Sequence, residues 1–266
     1  MKALLPLLFL LPFLRLPLQA QQADSLRSVE KTWLWGVGCA SVLDTYLSPQ
    51  TYKGLNLTVD HRTSRTARWG HDRWLIGGHF TGHLALVSSP TDDARECDAQ
   101  LSAAVSAQRR FQPHPRWTLA IGPQLEFTTG GTYNTRNGNN PAQARIGLQL
   151  QAHATAAYRF PLFRRTATAT LHLEAPVVGT QFAPEYGQSY YEIFSLGHTS
   201  GIVHFTHPFN APTAHLQALL SLPIRSTLVT LGYQANVRQS HLSGLKRHAW
   251  RNTFVLGFTR HLHLIR

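Results

Sequence analysis

The segment Gln143–Phe160 constrains this chain most, because its apolar and polar side chains alternate from end to end. Successive side chains of a β-strand point to opposite faces, so the pattern predicts one strand with an apolar face and a wet face. Strands in soluble sheets run about 5–6 residues, whereas a tilted strand needs about 9–11 residues to cross a bilayer. The length therefore indicates that the apolar face meets lipid.

The composition agrees with a strand that faces lipid. Hydrophobic residues make up 43% of the chain and charged residues 14%, against about 25% charged in ordinary soluble domains. No apolar run after residue 20 is long enough for a transmembrane helix. Only helices and closed barrels satisfy every backbone polar group in lipid. We therefore predict an all-β fold, a single up-and-down antiparallel transmembrane β-barrel.

The first residues have the features of an export signal. Lys2 precedes the apolar stretch Leu4–Leu18, and Ala20 provides a small residue before a cleavage site. Prolines and Arg15 interrupt the stretch, which argues against a membrane anchor that stays in place. We predict a signal peptide over residues 1–20, a lead-in over 21–31 and a barrel over 32–266. The predicted location is the outer membrane.

The chain is strongly basic, with a formal net charge of +12. Such a charge is typical of nucleic-acid-binding proteins, but export removes the chain from nucleic acid. Anionic lipid head groups are the expected counter-charge. The partners we expect are outer-membrane lipids and the barrel insertion machinery, with no nucleic acid and no cofactor. The oligomeric state stays open.

The alternating pattern recurs along the chain and predicts twelve strands, an even number as in bacterial barrels. The predicted strands are Lys31–Val42, Gly54–His61, Trp74–Leu86, Cys97–Phe111, Trp117–Phe127, Gln143–Phe160, Thr166–Ala175, Tyr190–Leu196, Ile202–His207, Ala214–Ile224, Thr227–Val237 and Asn252–Leu264. Two of them, Tyr190–Leu196 and Ile202–His207, are short. Without that pair the count is ten, which is the alternative.

Connections are expected to alternate between short and long. With both termini at the periplasmic side, short turns fall at Gln112–Arg116, Pro161–Arg165 and Pro223–Ser226. Longer loops are expected at Ser88–Glu96, Thr128–Ala142, Val177–Ser189 and Arg238–Arg251. Turn residues in 130–141 mark the second of these as a loop.

Titratable side chains collect on the predicted lumen face. Glu126, Arg145 and Glu174 lie on consecutive strands, and we predict that they form an interior ion-pair cluster with a structural role. Four histidines also point inward by the pattern: His79, His83, His153 and His172. His79 and His83 are about 13 Å apart on a strand and cannot share one ion. No metal site is predicted.

The two cysteines, Cys39 and Cys97, permit a disulfide in an exported protein. The strand pattern puts both on the lipid face of strands that are not neighbours. Free thiols are the favoured prediction.

One segment resembles a catalytic motif. Gly197-His198-Thr199-Ser200-Gly201 is similar to part of the His-x-Ser-Asn-Gly motif of outer-membrane phospholipase A, a twelve-stranded barrel. The resemblance implies Ser200 as nucleophile, His198 as base and Asn210 as the orienting residue. The asparagine after the serine is absent, Asn210 falls at another spacing, and the predicted topology puts the segment at a periplasmic turn. A simple turn remains the favoured interpretation.

A second resemblance covers most of the chain and is densest after residue 140. Segments 189–197, 202–205, 243–248 and 252–258 (SYYEIFSLG, IVHF, SGLKRH and NTFVLGF) resemble the family called domain of unknown function 3316 of Gram-negative anaerobes. The resemblance implies an exported, outer-membrane protein. It implies no activity, substrate or catalytic residue.

The sequence therefore predicts an outer-membrane barrel, either structural or a narrow conduit, whose lumen is largely filled by side chains. Two alternatives stay open. One is a phospholipase-like lipid hydrolase that uses Ser200 and His198, and the other is a soluble periplasmic β-sandwich that binds a ligand. A sandwich would pack the apolar face of each strand inside, between two stacked sheets.

Overall fold

A computed structural model describes residues 28–263, apart from residues 68, 71, 139 and 226. The predicted signal peptide lies outside the described residues. The chain forms one antiparallel sheet that closes on itself, because the first strand pairs with the last along its whole length. We call the end of the barrel where the first strand begins and the last one finishes the termini end, and the opposite end the far end.

Ten long strands form the wall, and a short helix and one extra strand lie outside it. In chain order the elements are β1 (Ser28–Asp44), β2 (Ser48–Thr66), β3 (Trp74–Ser88), β4 (Arg95–His114), β5 (Trp117–Asn134), β6 (Ala142–Leu162), β7 (Arg165–Phe182), α1 (Tyr190–Phe194), β8 (Val203–Thr206), β9 (Thr213–Ile224), β10 (Thr227–Leu242) and β11 (Leu245–His263).

The alternation that predicted a long strand is confirmed in β6, which has 21 residues. Ile146, Leu148 and Leu150 are between 41% and 49% exposed on its outer face, while Gln149 and Gln151 are buried on the inner face. A strand of this length is more than long enough to cross the hydrocarbon core of a bilayer.

The β-sandwich alternative is wrong, because the apolar faces point outward. Large apolar side chains on the outer wall are exposed, whereas charged and amide side chains inside are buried. The described strands form a single closed sheet rather than two stacked ones. This inverted arrangement is the one expected when lipid surrounds the sheet.

The prediction of twelve strands is wrong, and the alternative of ten wall strands holds. The segment Tyr190–Leu196 is not a strand, because Ser189 and Glu192 form a capping box that begins helix α1. The Ser189 side chain accepts a hydrogen bond from the Glu192 backbone N–H, and the Glu192 carboxylate accepts one from the Ser189 N–H. Ser-x-x-Glu is a helix-start signal that the strand interpretation overlooked.

The other doubtful segment, Ile202–His207, does form a strand, but not one that spans the wall. It contains β8, which pairs with only the last residues of β7. Residues 183–212, with α1 and β8, therefore form one long excursion at the far end. No helix in the described part of the chain is long and apolar enough to cross a membrane.

Several loops are shorter than predicted because the strands run on. Thr128–Ala142 was predicted to be a loop, yet β5 continues to Asn134. Gly130 explains this continuation: a Cβ built there would overlap the carbonyl oxygen of Ala99 on the neighbouring strand. The glycine permits a close approach of two strands rather than a turn. At Arg238–Arg251 the loop shrinks to Ser243 and Gly244, both at positive φ.

Both cysteines are free thiols on the outer face, as predicted. Cys39 lies on β1 and Cys97 on β4, so two strands separate them.

Candidate functional site: the lumen network

The lumen is filled with polar and charged side chains that meet across it. The same alternation that turns the apolar residues outward brings every second residue of each strand inside. The side chains buried there include Arg251, Gln217, Asn56, Asp60 and Asp98, each at most 1% exposed. A ten-stranded barrel is narrow enough for side chains from opposite walls to touch.

The far end of the lumen holds what we call the Asp98 cluster: Asp44, Glu96, Asp98, Arg145, Arg247 and Arg251. The Asp98 carboxylate accepts hydrogen bonds from Arg145 and Arg251, and Arg247 lies 3.6 Å away. Arg145 also reaches Asp44 at 3.4 Å. The strands that supply these groups lie on different sides of the barrel. The cluster therefore crosses the lumen and balances its own charge.

Hydrogen bonds join helix α1 to strand β6 at the rim above the Asp98 cluster. The Tyr190 hydroxyl accepts a hydrogen bond from the Ala144 N–H at 2.6 Å and donates one to Gln143 Oε1 at 2.8 Å. Burial raises the pKa of Tyr190 to about 12. The hydroxyl therefore stays protonated and keeps donating at physiological pH. Tyr190 holds the far-end excursion against β6.

The middle of the lumen is bridged by Arg238 and Glu126. Arg238 Nη2 donates to Glu126 Oε1 at 2.5 Å, and Gln151 Nε2 donates to the other carboxylate oxygen at 2.6 Å. Gln124 in turn donates to Gln151 at 2.9 Å. Arg238 comes from β10 and Glu126 from β5, on the opposite side of the barrel, so this pair also spans the lumen.

The third group, which we call the Glu174 cluster, is rich in histidine: Asp60, Arg62, His79, His153, Glu174 and His215. Arg62 Nη2 donates to Glu174 Oε1 at 2.8 Å across the lumen. His79 Nδ1 lies 3.4 Å from Glu174 Oε1 and His215 Nδ1 lies 3.2 Å from Glu174 Oε2. His153 Nε2 is 3.8 Å from Glu174 Oε1. Three histidines thus direct a ring nitrogen at one carboxylate.

Toward the termini end the lumen becomes less charged. Hydroxyl groups of Thr32, Thr259, Thr230 and Ser221 form a chain with contacts of 2.8–3.2 Å. Nearby, Leu34, Leu219 and Val255 pack together and are at most 8% exposed. Apolar packing joins the polar contacts in filling this level.

The predicted ion-pair cluster of Glu126, Arg145 and Glu174 is wrong in its pairing. All three side chains are buried in the lumen, but they do not form one cluster. Arg145 bonds to Asp98, Glu126 to Arg238 and Glu174 to Arg62. The pattern assigns each side chain to a face, but it does not show which strands lie opposite each other. The missed partners, Arg62 and Arg238, each lie one residue beyond the end of a predicted strand but within the observed strands β2 and β10.

The four predicted lumen histidines do point inward but have different surroundings. His83 Nδ1 contacts Thr58 Oγ1 at 3.0 Å, and His172 Nδ1 contacts Thr155 Oγ1 at 3.2 Å. His79 and His153 belong to the Glu174 cluster, with His215, which sequence reasoning missed. His79, Glu174 and His215 place ligand atoms within 4.8 Å of one another, so together they could hold a metal ion. They come from three strands, which explains why sequence spacing did not reveal them.

The resemblance to outer-membrane phospholipase A finds no support in the geometry. Ser200 and His198 are exposed in the far-end excursion and not at a turn of the termini end, where twelve strands would have put them, because the segment before them is helix α1. No hydrogen bond joins Ser200 to His198 or Asn210 within the described residues. Asn210 instead accepts from the His207 N–H and donates to the Phe205 carbonyl.

His198 has a structural place in this loop. Its N–H donates to the Glu192 carbonyl at 3.0 Å, and its own carbonyl accepts from Gln188 Nε2 at 2.8 Å. Hydrogen bonds from Ser189, followed by the nearby His198, lower the pKa of the Glu192 carboxyl. The excursion is therefore organised around the cap of α1 rather than around a nucleophile.

The comparisons with known proteins agree with this fold. The model of the family described as protein of unknown function (DUF3316) matches residues 4–266. The chain belongs to this family. No curated protein matches it in sequence.

Solved structures similar to this DUF3316 protein are outer-membrane barrels. The outer membrane protease OmpT from Escherichia coli has a TM-score of 0.50 at 7% identity, covering 90% of this chain and 98% of OmpT. The translocator domain of the autotransporter NalP from Neisseria meningitidis has a TM-score of 0.40 at 10% identity, covering 89% of this chain and 94% of that domain. At such low identity, the likeness to OmpT shows the fold alone.

Proposed function

We propose that this DUF3316 protein is an outer-membrane barrel whose lumen is closed by its own side chains. On this proposal it is not an open pore, and it acts through its lipid-facing wall and its far-end loops. The termini end faces the periplasm. The predicted signal peptide, the outward apolar faces and the barrel fold support this location.

The observation that carries the proposal is the stack of charged bridges across the lumen. Arg251 and Asp98 are each at most 1% exposed and join β11 to β4. Arg238 with Glu126, and Arg62 with Glu174, bridge the lumen at other levels. A cavity of about 30 Å³ lies beside Gln100, Arg145, Arg238 and Arg247, which is room for about two water molecules. A space of this size is too small to form a water path through the barrel by itself.

The outer wall supports the proposed lipid partners. Trp33, Trp35 and Val37 on β1 are 36%, 49% and 55% exposed, and Leu101 and Val105 on β4 are 50% and 63% exposed. In water this continuous apolar band would be an aggregation surface. In a bilayer this apolar band would contact the lipid chains, and each wall strand pairs with a neighbouring strand on both sides. Folding of such a wall is proposed to require the barrel insertion machinery.

Conductance in planar lipid bilayers tests the closed lumen directly. The wild-type protein, purified without a tag and inserted into the bilayer, is expected to show no steady open-pore current. The double variant D98A/R251A removes both members of one buried pair and also takes away the carboxylate that Arg145 and Arg247 face. It opens space in the Asp98 cluster and is expected to produce defined conductance steps.

The matched control is D93A/R136A, which removes an ion pair whose side chains are 43% and 64% exposed in the far-end loops. This control should stay as silent as the wild type. Steady, ion-selective steps from the wild-type protein would overturn the proposal and establish a conduit.

A further inference from the structure

We propose that the Glu174 cluster is a binding site for a first-row divalent metal ion of the Zn²⁺ class. The proposed protein ligands are Glu174, His79 and His215, whose ligand atoms all lie within 4.8 Å of one another. The site goes beyond the proposed closed barrel, because it assigns a bound ion to the lumen that the closure does not require.

The backbone register places Glu174 between two histidines. Glu174 on β7 is directly opposite His153 on β6 and His215 on β9. His79 reaches the same carboxylate from β3, on the opposite side of the barrel. Both walls thus contribute ligands, which is the arrangement of a site formed only after the barrel has closed.

The distances suit tetrahedral coordination with small adjustments. Ligands bound to Zn²⁺ at about 2.0–2.1 Å in a tetrahedron lie about 3.3 Å from one another. His79 Nδ1 and His215 Nδ1 lie 3.4 Å and 3.2 Å from the two Glu174 oxygens. His153 Nε2 lies 3.8 Å from Glu174 Oε1, but it is not in the group of ligand atoms that all lie within 4.8 Å of one another, so the fourth position of the tetrahedron stays open for water. Imidazole nitrogen with carboxylate oxygen is a donor set that favours zinc and related transition metals over calcium and magnesium.

The groups that contact the other ring nitrogens of His79 and His215 are also of the kind found at metal sites. Metal-bound histidines usually donate the proton of the other ring nitrogen to a carboxylate or carbonyl oxygen. His79 Nε2 lies 2.8 Å from Asp60 Oδ2, which is such a carboxylate. His215 Nε2 lies 2.6 Å from the Gln234 amide nitrogen, while Gln234 Oε1 is buried without a partner. A reversed Gln234 amide, an assignment that depends on the hydrogen-bond network, would accept the proton of His215 Nε2 and leave Nδ1 free for the metal.

The carboxylates of the Glu174 cluster outnumber its permanently charged cations. Asp60 and Glu174 carry two negative charges, and their side chains are 0% and 3% exposed. In the described part of the chain, Arg62 is the one permanently charged cation within ion-pairing distance of either carboxylate. One negative charge is left over in a medium where unpaired charge is costly. A divalent metal ion would change this single negative charge to a single positive one, whereas a proton on His79 would cancel it, and zinc loading separates the two cases.

Metal loading of the folded protein provides the test. The protein is folded in detergent with Zn²⁺ present, free metal is removed by buffer exchange, and bound zinc is measured by elemental analysis. The expected result is one Zn²⁺ per chain, held more tightly than about 1 μM. Co²⁺ in place of Zn²⁺ should give the intense visible bands of a tetrahedral site.

Matched variants locate the site. E174Q and H215N should weaken Zn²⁺ binding by at least about 10–100-fold. E126Q and H83Q alter a glutamate and a histidine of the same lumen that do not touch Glu174, and they should bind as the wild type does. Each variant is first shown to fold by its heat-modifiable migration and circular dichroism.

Three outcomes would overturn the proposal. Wild-type protein that retains no zinc would leave the proton on His79 as the balancing charge. Equal loss in H83Q and H215N would place binding elsewhere. A Co²⁺ spectrum of an octahedral, water-rich ion would indicate exposed histidines instead of the lumen. None of these results bears on whether the lumen conducts ions, so the closed barrel is judged separately.

Discussion

The Asp98 cluster and the Glu174 cluster fill the same lumen but use different chemistry. The Asp98 cluster sets three arginines against three carboxylates. The Glu174 cluster sets one arginine and three histidines against two carboxylates. Both bridge opposite walls, and both are almost completely buried.

The two clusters can respond to different conditions. Arginine keeps its charge at every physiological pH. The arginines of the Asp98 cluster therefore stay positively charged and bridge the lumen near the far end. Histidine changes charge near neutral pH and is the commonest metal ligand. The histidines of the Glu174 cluster can therefore exchange protons or hold a metal, whereas the arginines of the Asp98 cluster can do neither.

The largest expected effect comes from D98A, which leaves three buried arginines without their shared acceptor. Removing one partner of a buried pair costs about 3–5 kcal/mol, and the loss should appear in the free energy of unfolding from denaturant titration in detergent. D93A in the exposed loop pair serves as control and should change stability by less than about 1 kcal/mol. A loss of unfolding free energy in D98A no larger than in D93A would show that the Asp98 cluster does not stabilise the barrel.

The next effect separates the clusters by pH. R62Q removes the permanent positive charge of the Glu174 cluster and should cost about 1.5–3 kcal/mol at pH 8, measured with a chelator present. The deficit relative to wild type should shrink as pH falls from 8 to 5, because protonated histidines then supply the missing positive charge.

The comparison variant is R145Q in the Asp98 cluster. Its deficit should change less over the same pH range, since Arg247 and Arg251 still face Asp98 and no histidine forms an ion pair with this cluster in the described part of the chain. Parallel pH profiles of the stability deficit for R62Q and R145Q would show that the two clusters do not differ in their response to pH.

The smallest effect concerns the rim of the Asp98 cluster. Y190F removes one hydroxyl that bonds Gln143 and Ala144 and should cost about 0.5–1.5 kcal/mol. Faster hydrogen exchange is expected in residues 183–212. Y186F, at a side chain that is 75% exposed, should leave the exchange rates unchanged. Unaltered exchange in Y190F would show that α1 is held by contacts other than this hydroxyl.

Much of the wall could be predicted from the sequence, since its signal is local. The segment Gln143–Phe160 and its neighbours alternate strictly, and the structure turns Leu101 and Val105 outward and Asp98 and Gln100 inward as that pattern requires. The errors fell where two local signals competed. The capping box at Ser189 and Glu192 outweighed the apolar residues of 190–196, and Gly130 permitted close strand packing where a loop had been expected.

The candidate sites could not be predicted in the same way. Arg62 and Glu174 are far apart in sequence yet lie 2.8 Å apart in the structure. Their meeting depends on the number of strands, because a barrel of ten places β2 opposite β7, and a barrel of twelve would not.

By itself the sequence determined the class of fold and the inward or outward direction of each strand residue, because a period of two is a property of the extended backbone. Closure decided the rest. Which arginine meets which carboxylate, and that three histidines converge on Glu174, follow from strand number and register, which no local pattern contains. Alternation selects the side chains that enter the lumen, and tertiary structure selects their partners.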